Sequence, residues 1–148
     1  MADNLDPTDW AILGELQRDG RMPLTELARR VNLSASATTE RVRRLEATGV
    51  ITGYRAEVDL AKVGFAVLAV VRLKYPGSQH QPLHRLLAER TEILECLRTT
   101  GDDCYTLKVA ATSMAHLEQV VDQLAQFGST TTNVVYSQTL PYRGPVGA

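Results

Sequence analysis

The spacing of apolar residues changes character near residue 60, and a single uniform fold cannot accommodate both halves. Before that point apolar residues recur every three to four positions, as one face of a helix requires. After it, runs rich in Val, Leu and Thr alternate with two short helical stretches. The chain therefore reads as α+β, with a helical domain over 1–58, a hinge over 59–64 and a mixed domain over 65–148.

In the helical part, Asp6-Pro7 is a helix start, because Asp caps free N–H groups and Pro tolerates the first helical position. Trp10, Ile12, Leu13 and Leu16 form its stripe, and Asp19-Gly20 ends it. Pro23 opens a second helix that buries Leu24, Leu27, Ala28 and Val31. Asn32-Leu33 is a tight connection, Ser34 caps a third helix to about Thr48, and Gly49 stands where a left-handed terminator belongs. Two short helices and a turn before a Ser-, Thr- and Arg-rich helix outline a helix-turn-helix. Val50-Ile51 and the strand-like Tyr54–Val58 suit a wing.

Charge supports that outline. The whole chain has a formal net charge of −1, but residues 29–55 hold six Arg (29, 30, 41, 43, 44 and 55) against Glu40 and Glu46. Arg forks suit phosphate and guanine better than Lys does. On the third helix Ala35, Thr38, Val42 and Leu45 share one face. Ser36, Glu40, Arg43, Arg44 and Ala47 lie opposite, with Thr39 and Arg41 on the flanks. Small hydroxyls near the helix start approach base edges, and Arg grips phosphate. Glu40 either pairs with Arg43 or Arg44 or accepts from cytosine. The candidate DNA contacts are Ser34, Ser36, Thr39, Glu40, Arg41, Arg43 and Arg44. A plain three-helix bundle with a solvated charged face fits the periodicity equally; the Arg clustering and the wing favour DNA.

In the mixed part, Phe65–Tyr75 reads as a strand, Pro82–Arg90 as a helix, and Ile93–Thr99 and Tyr105–Ala110 as strands joined at Gly101-Asp102-Asp103. Ser113 caps a helix bearing Leu117, Val120, Val121 and Leu124, which Gly128 closes, and Thr130–Leu140 reads as the last strand. The order β-α-β-β-α-β is ferredoxin-like, with both helices on one side of a four-stranded sheet. The uncovered face wants a partner, which predicts a homodimer.

These segments together resemble the Lrp/AsnC (feast/famine) family of transcriptional regulators. Leu5-Asp6-x-x-Asp9, Ile12-Leu13-x-x-Leu16, Gly20-Arg21 and Glu26-Leu27-Ala28 follow its opening pattern. Leu33-Ser34 and Arg41-Val42-x-x-Leu45-Glu46-x-x-Gly49-Val50-Ile51-x-Gly53-Tyr54 follow its recognition helix and wing. Thr100-Gly101-Asp102-Asp103-Cys104-Tyr105 resembles the turn of its effector domain. The resemblance implies a sequence-specific regulator built from dimers that assemble further, as octamers or related discs. It also implies that a small molecule, usually an amino acid, alters assembly or DNA affinity. Carried over, Gly101, Asp102, Asp103 and Tyr105 line the effector site, with Thr130, Thr131 and Thr132 from the neighbouring segment. Carboxylates suit an ammonium group and hydroxyls a carboxylate; an ordinary hairpin turn with solvated aspartates explains the composition as well. The chain departs from the pattern at Cys104, where many members have Asp, and at Pro23, where a Ser-type cap is common.

Other chemistry is set aside. His80 and His84 have a metal-compatible spacing, but Pro82 lies between them and no third ligand is near in sequence, so a hydrated pair is expected. Cys96 and Cys104 read as half-buried thiols. No catalytic triad, phosphate loop or zinc motif is present, so neither catalysis nor a cofactor is expected. The rival readings are a subunit resembling siroheme decarboxylase and a metabolite-binding module with vestigial DNA-binding helices. Two cysteines, an acidic N-terminus unlike a signal peptide, and no apolar run near the ~20 residues of a bilayer span point to a cytoplasmic protein without a membrane partner.

Overall fold

The computed structural model describes residues 5–147, and the acidic start of the chain before Leu5 lies outside them. The chain divides into two compact units: one runs to Glu57 and takes in the segment from Leu140, and the other is Val58–Thr139.

The first unit holds α1 (Pro7–Arg18), α2 (Leu24–Arg30) and α3 (Ala35–Ala47). A capping box starts α1: the Asp6 carboxylate accepts from the Asp9 N–H at 2.8 Å, and Asp9 accepts from the Asp6 N–H at 3.2 Å. Asn32 takes a left-handed conformation at φ 55°, and the Leu33 N–H returns to the Ala28 carbonyl at 3.0 Å, which sets the turn into α3. Gly49, at φ 75°, ends α3 in the conformation an L side chain resists, so that Ile51 N–H reaches back to Leu45 O at 2.9 Å. Ile12, Met22, Leu27, Val42 and Leu45 form the core, with Leu13, Leu16, Val50 and Ile51 packed against it.

Three expectations change here. Val31 is half-buried against the core, whereas Leu24 and Ala35, the first residues of α2 and α3, are exposed. Residues 53–58 form no strand; Val50 and Ile51 instead contribute to the core. The wing is therefore a coil, fastened by Tyr54, whose hydroxyl donates to Glu46 of α3 at 2.9 Å. Partial burial and that carboxylate push the Tyr54 phenol up to about 12.

The second unit holds β1 (Val67–Lys74), α4 (Gln81–Glu89), β2 (Ile93–Arg98), β3 (Tyr105–Ala111), α5 (Met114–Ala125) and β4 (Ser129–Val134). Its strands are all antiparallel in the order β2-β3-β1-β4. The proposed hinge is an ordered turn of this unit: Val63 N–H bonds Asp59 O at 3.3 Å, and Phe65 N–H bonds Leu60 O at 2.8 Å. The last strand stops at Val134 rather than Leu140: Val135 N–H still bonds Leu68 O of β1 at 2.8 Å, and the segment from Leu140 joins the first unit. In that segment the Pro145 carbonyl accepts from Gln17 Nε2 of α1 at 3.0 Å.

Alternation along the strands makes two faces. Ala69, Val71, Leu73, Tyr105, Leu107 and Val109 turn inward, against Leu83 of α4 and Leu117, Val120 and Leu124 of α5. Leu68, Val70, Leu97 and Thr106 share the other face with Glu95 and Lys108, around a hollow of about 180 Å³, and Arg72 lies farther along β1. Gly128 precedes β4 where a Cβ would lie 2.0 Å from the Lys74 carbonyl oxygen, so no side chain fits.

Two changes test this packing in chemical denaturation. Leu107→Ala removes a fully enclosed side chain and is expected to cost about 2–5 kcal/mol. Gly128→Ala must push β4 off β1 and is expected to cost about 1–3 kcal/mol, although it adds only a methyl group.

Candidate functional site

The exposed side of α3 carries the first group of candidates. Ser34 caps the helix, its Oγ accepting from Ala37 N–H at 3.2 Å and lying 3.2 Å from Ser36 Oγ. Thr39 donates to Ala35 O at 2.8 Å and is half-buried. Ser36, Glu40 and Arg43 are exposed. Neither Glu40 nor Arg43 has an ion-pair partner among the described residues and Arg44 pairs with Asp9, so of the two alternatives for Glu40 the pairing with Arg43 or Arg44 is not formed.

Arg41 and Arg44 turn toward the protein. Arg41 Nη1 donates to Asp6 Oδ2 at 2.6 Å and to Asp9 Oδ1 at 2.9 Å. Arg44 Nη2 lies 2.6 Å from each oxygen of Asp9. Asp9 is only 1% exposed, so these pairs join the start of α1 to the middle of α3. The Asp6 carboxyl is held below its ordinary range, chiefly by the hydrogen bond from Arg41, and Arg41 is raised in turn. Each therefore already holds a carboxylate: Arg41 bonds Asp6 and Asp9 through Nη1, and Arg44 bonds Asp9 through Nη2. Asp9 was not legible as a site residue, although its i, i+3 spacing from Asp6 and the i, i+3 spacing of Arg41 and Arg44 are the trace it leaves.

The rest of the basic stretch is also partly committed. Glu26 receives Arg29 at 2.7 Å and Arg30 at 2.9 Å, and Arg30 also reaches Glu15 at 3.0 Å. Of the six Arg over 29–55, only Arg43 and Arg55 lack a carboxylate partner among the described residues.

The effector candidates separate by strand parity. Asp102 lies 3.8 Å from Lys74 Nζ, and Asp103 lies 3.5 Å from Arg72 Nη1. Both sit at the Gly101 turn, where Thr99 Oγ1 donates to Asp103 O at 2.8 Å. Thr131 pairs with Arg72 and shares that open face, whereas Thr130 and Thr132 pair with Leu73 and Val71 and face the helices. Within one chain the seven residues divide between the two faces of the sheet, because neighbouring strand positions point to opposite sides.

Tyr105 also faces inward. Its hydroxyl lies 2.8 Å from His80 Nδ1 and 3.3 Å from His84 Nε2, and His80 Nε2 lies 3.3 Å from Arg98 Nη2. Arg only donates, so His80 accepts at Nε2 and donates from Nδ1 to Tyr105, which donates to His84. Partial burial, then the charge of Arg98, holds His80 below the usual imidazole range. Among the described residues no three His, Cys, Asp or Glu side chains are grouped as metal ligands. Cys96 and Cys104 are free thiols, and burial pushes the Cys96 thiol up. No helix among the described residues is long and apolar enough to cross a membrane.

Comparison with known proteins follows the two units. Residues 5–52 match the family described as winged helix-turn-helix DNA-binding, and residues 68–145 match the Lrp/AsnC ligand binding domain. The transcriptional regulator LrpC of Bacillus subtilis is 34% identical over 134 residues, covering 90% of this chain and 93% of that one. Its solved structure superposes with a TM-score of 0.90 at 32% identity, over 95% of this chain and 100% of that one. A feast or famine regulatory protein of M. tuberculosis, solved in complex with L-methionine, gives a TM-score of 0.89 at 32% identity, over 97% and 99% of the two chains.

Two Arg partners hold the Glu26 carboxyl down to about 2, from an ordinary 4.5. Because the folded value is depressed, the pair's contribution is present above pH 4.5 and is lost as pH falls toward about 2. An NMR titration is expected to place the Glu26 midpoint well below 4.5. A midpoint near 4.5 means that Arg29 and Arg30 are free for other partners.

Proposed function

Since the chain belongs to the Lrp/AsnC family of transcriptional regulators, we propose that an amino acid tunes its assembly or its grip on a specific DNA sequence. The observation that carries the DNA reading is the exposed start of α3, with Ser36, Thr39, Glu40 and Arg43 on one capped helix beside the tethered Arg41 and Arg44. In this reading α3 enters the major groove, Ser34 and Ser36 lie near its leading end, and Arg43 contacts phosphate. Arg55, in the coil after Gly53, supplies a second free charge to the backbone.

For the effector, the Asp102–Lys74 and Asp103–Arg72 pairs offer both charges an amino acid needs. At 3.5–3.8 Å, with side chains 37–91% exposed, they are loose surface pairs. A zwitterion exchanges them at little cost, its ammonium on an aspartate and its carboxylate on Arg72 or Lys74, with Thr131 and the Gly101 turn alongside. The methionine bound by the M. tuberculosis relative supports this class of ligand. Tyr105 supports the turn from the helix side of the sheet, and Thr130 and Thr132 stand on the adjoining strand β4. The open sheet face, with Leu97 52% exposed, is assigned to a homodimer, and further assembly such as an octamer builds on it. The reading gives the protein a regulatory role in the cytoplasm, with no catalytic one.

Fluorescence anisotropy tests the DNA assignment. Arg43→Ala is expected to weaken specific binding about tenfold and to lower the salt slope by about one, without a change in thermal midpoint. Unchanged affinity at moderate salt removes Arg43 from the interface. L-Methionine and other amino acids added to the wild type are expected to move the binding curve, and Asp103→Asn to abolish that movement. Leu97→Asp is expected to yield monomers in sedimentation equilibrium; an intact dimer places the interface elsewhere.

A further inference from the structure

We propose that Asp9 is a positioning residue for DNA reading: its buried carboxylate holds Arg44 and Arg41 so that the free edge of Arg44 meets a phosphate of the duplex. The inference rests on the regulatory reading above and adds to it a residue of α1.

The geometry of the carboxylate leaves it no freedom. Asp9 accepts from Arg44 Nη2 on both oxygens, from Arg41 Nη1 on one and from the Asp6 N–H on the other. Asp6, which shares Arg41, is itself bonded to the Asp9 N–H. The two carboxylates and two guanidinium groups are thus a closed, charge-balanced set. Arg44 spends only Nη2 on it. Its Nε and Nη1 have no acceptor among the described residues, and the side chain is 52% exposed.

A purely structural role accounts poorly for this arrangement. A buried ion pair is a weak stabiliser, and apolar groups of similar volume often serve as well. What it supplies is direction. An unrestrained Arg must be ordered when it binds phosphate, whereas one held at a single nitrogen keeps a preformed fork for the ligand. Arg44 also lies beside Arg43, so aiming one guanidinium fixes the register of the helix against the backbone.

The charge balance makes the test specific. Asp9→Asn keeps the shape but removes one negative charge near the interface. It should therefore leave binding to an arbitrary duplex unweakened, or strengthen it, while sequence discrimination is lost. Binding is measured by anisotropy across salt on two duplexes: one selected from a random pool by the wild-type protein, and a scrambled version of it. Circular dichroism verifies the fold. The expected result is a fall of about tenfold in the ratio of the two affinities, because α3 loses the register that the aimed Arg44–phosphate contact sets, with scrambled binding retained.

A folded Asp9→Asn protein with the wild-type ratio overturns the proposal, as does equal weakening on both duplexes. If Asp9→Asn does not fold, Arg44→Lys decides: it keeps the charge and a contact to Asp9 but has no free edge, so discrimination should fall and scrambled binding persist. Unchanged discrimination in that variant overturns the proposal. A wild type that enriches no sequence overturns the regulatory reading itself, whereas enrichment by the wild type alongside an unaffected variant overturns only the role of Asp9.

Discussion

The first unit is organised around one carboxylate that water does not reach. Asp9 sits at the third position of α1, where helix-start geometry favours an acid, and it is enclosed by α3. Removing a single partner from such a set costs about 3–5 kcal/mol, because the remaining charge stays buried, whereas the intact set contributes little net stability. The apolar core of Ile12, Leu27, Val42 and Leu45 supplies the driving force. Asp9 adds to that burial a direct tie from the start of α1 to Arg41 and Arg44 of α3.

The second unit solves a different problem with the same economy of residues. One sheet face is filled by α4 and α5, and the other is left with Leu68, Val70 and Leu97 among charged neighbours. The charges concentrate where β1 meets the Gly101 turn, so the apolar part of the face and its ionic edge are adjacent on the same strands. β1 thus carries both the apolar positions Leu68 and Val70 and the cations Arg72 and Lys74 that meet the aspartates of the turn.

Much of this was legible in the chain. Helical spacing, the Asp6-Pro7 start, the Ser34 cap and Gly49 define the three helices because each is a local signal, and the βαββαβ order follows from composition and turns. The losses have physical causes. Val50 and Ile51 look like the opening of a strand, yet their value to the core exceeds that of pairing, so the wing stays a coil. Thr130, Thr131 and Thr132 form one block in sequence, but a strand sends alternate residues to opposite faces. Tyr105 stands in step with Leu107 and Val109, and that parity places it inward beside His80 and His84. Asp9 is hidden most deeply: a carboxylate reads as solvated until its partners are located, and those lie on another helix.

The segment from Leu140 adds a constraint of timing. It belongs to the first unit, yet it is joined to that unit's helices only through the whole of Val58–Thr139. Gly147 rests where a Cβ would lie 2.9 Å from the Trp10 ring, and Pro145 meets Gln17. The first unit is thus discontinuous, with the second inserted into it. During synthesis the three helices emerge early and can collapse, but the surface around Trp10 and Gln17 stays bare until the entire sheet has been made. The DNA-reading unit begins first on the ribosome and is finished after its neighbour.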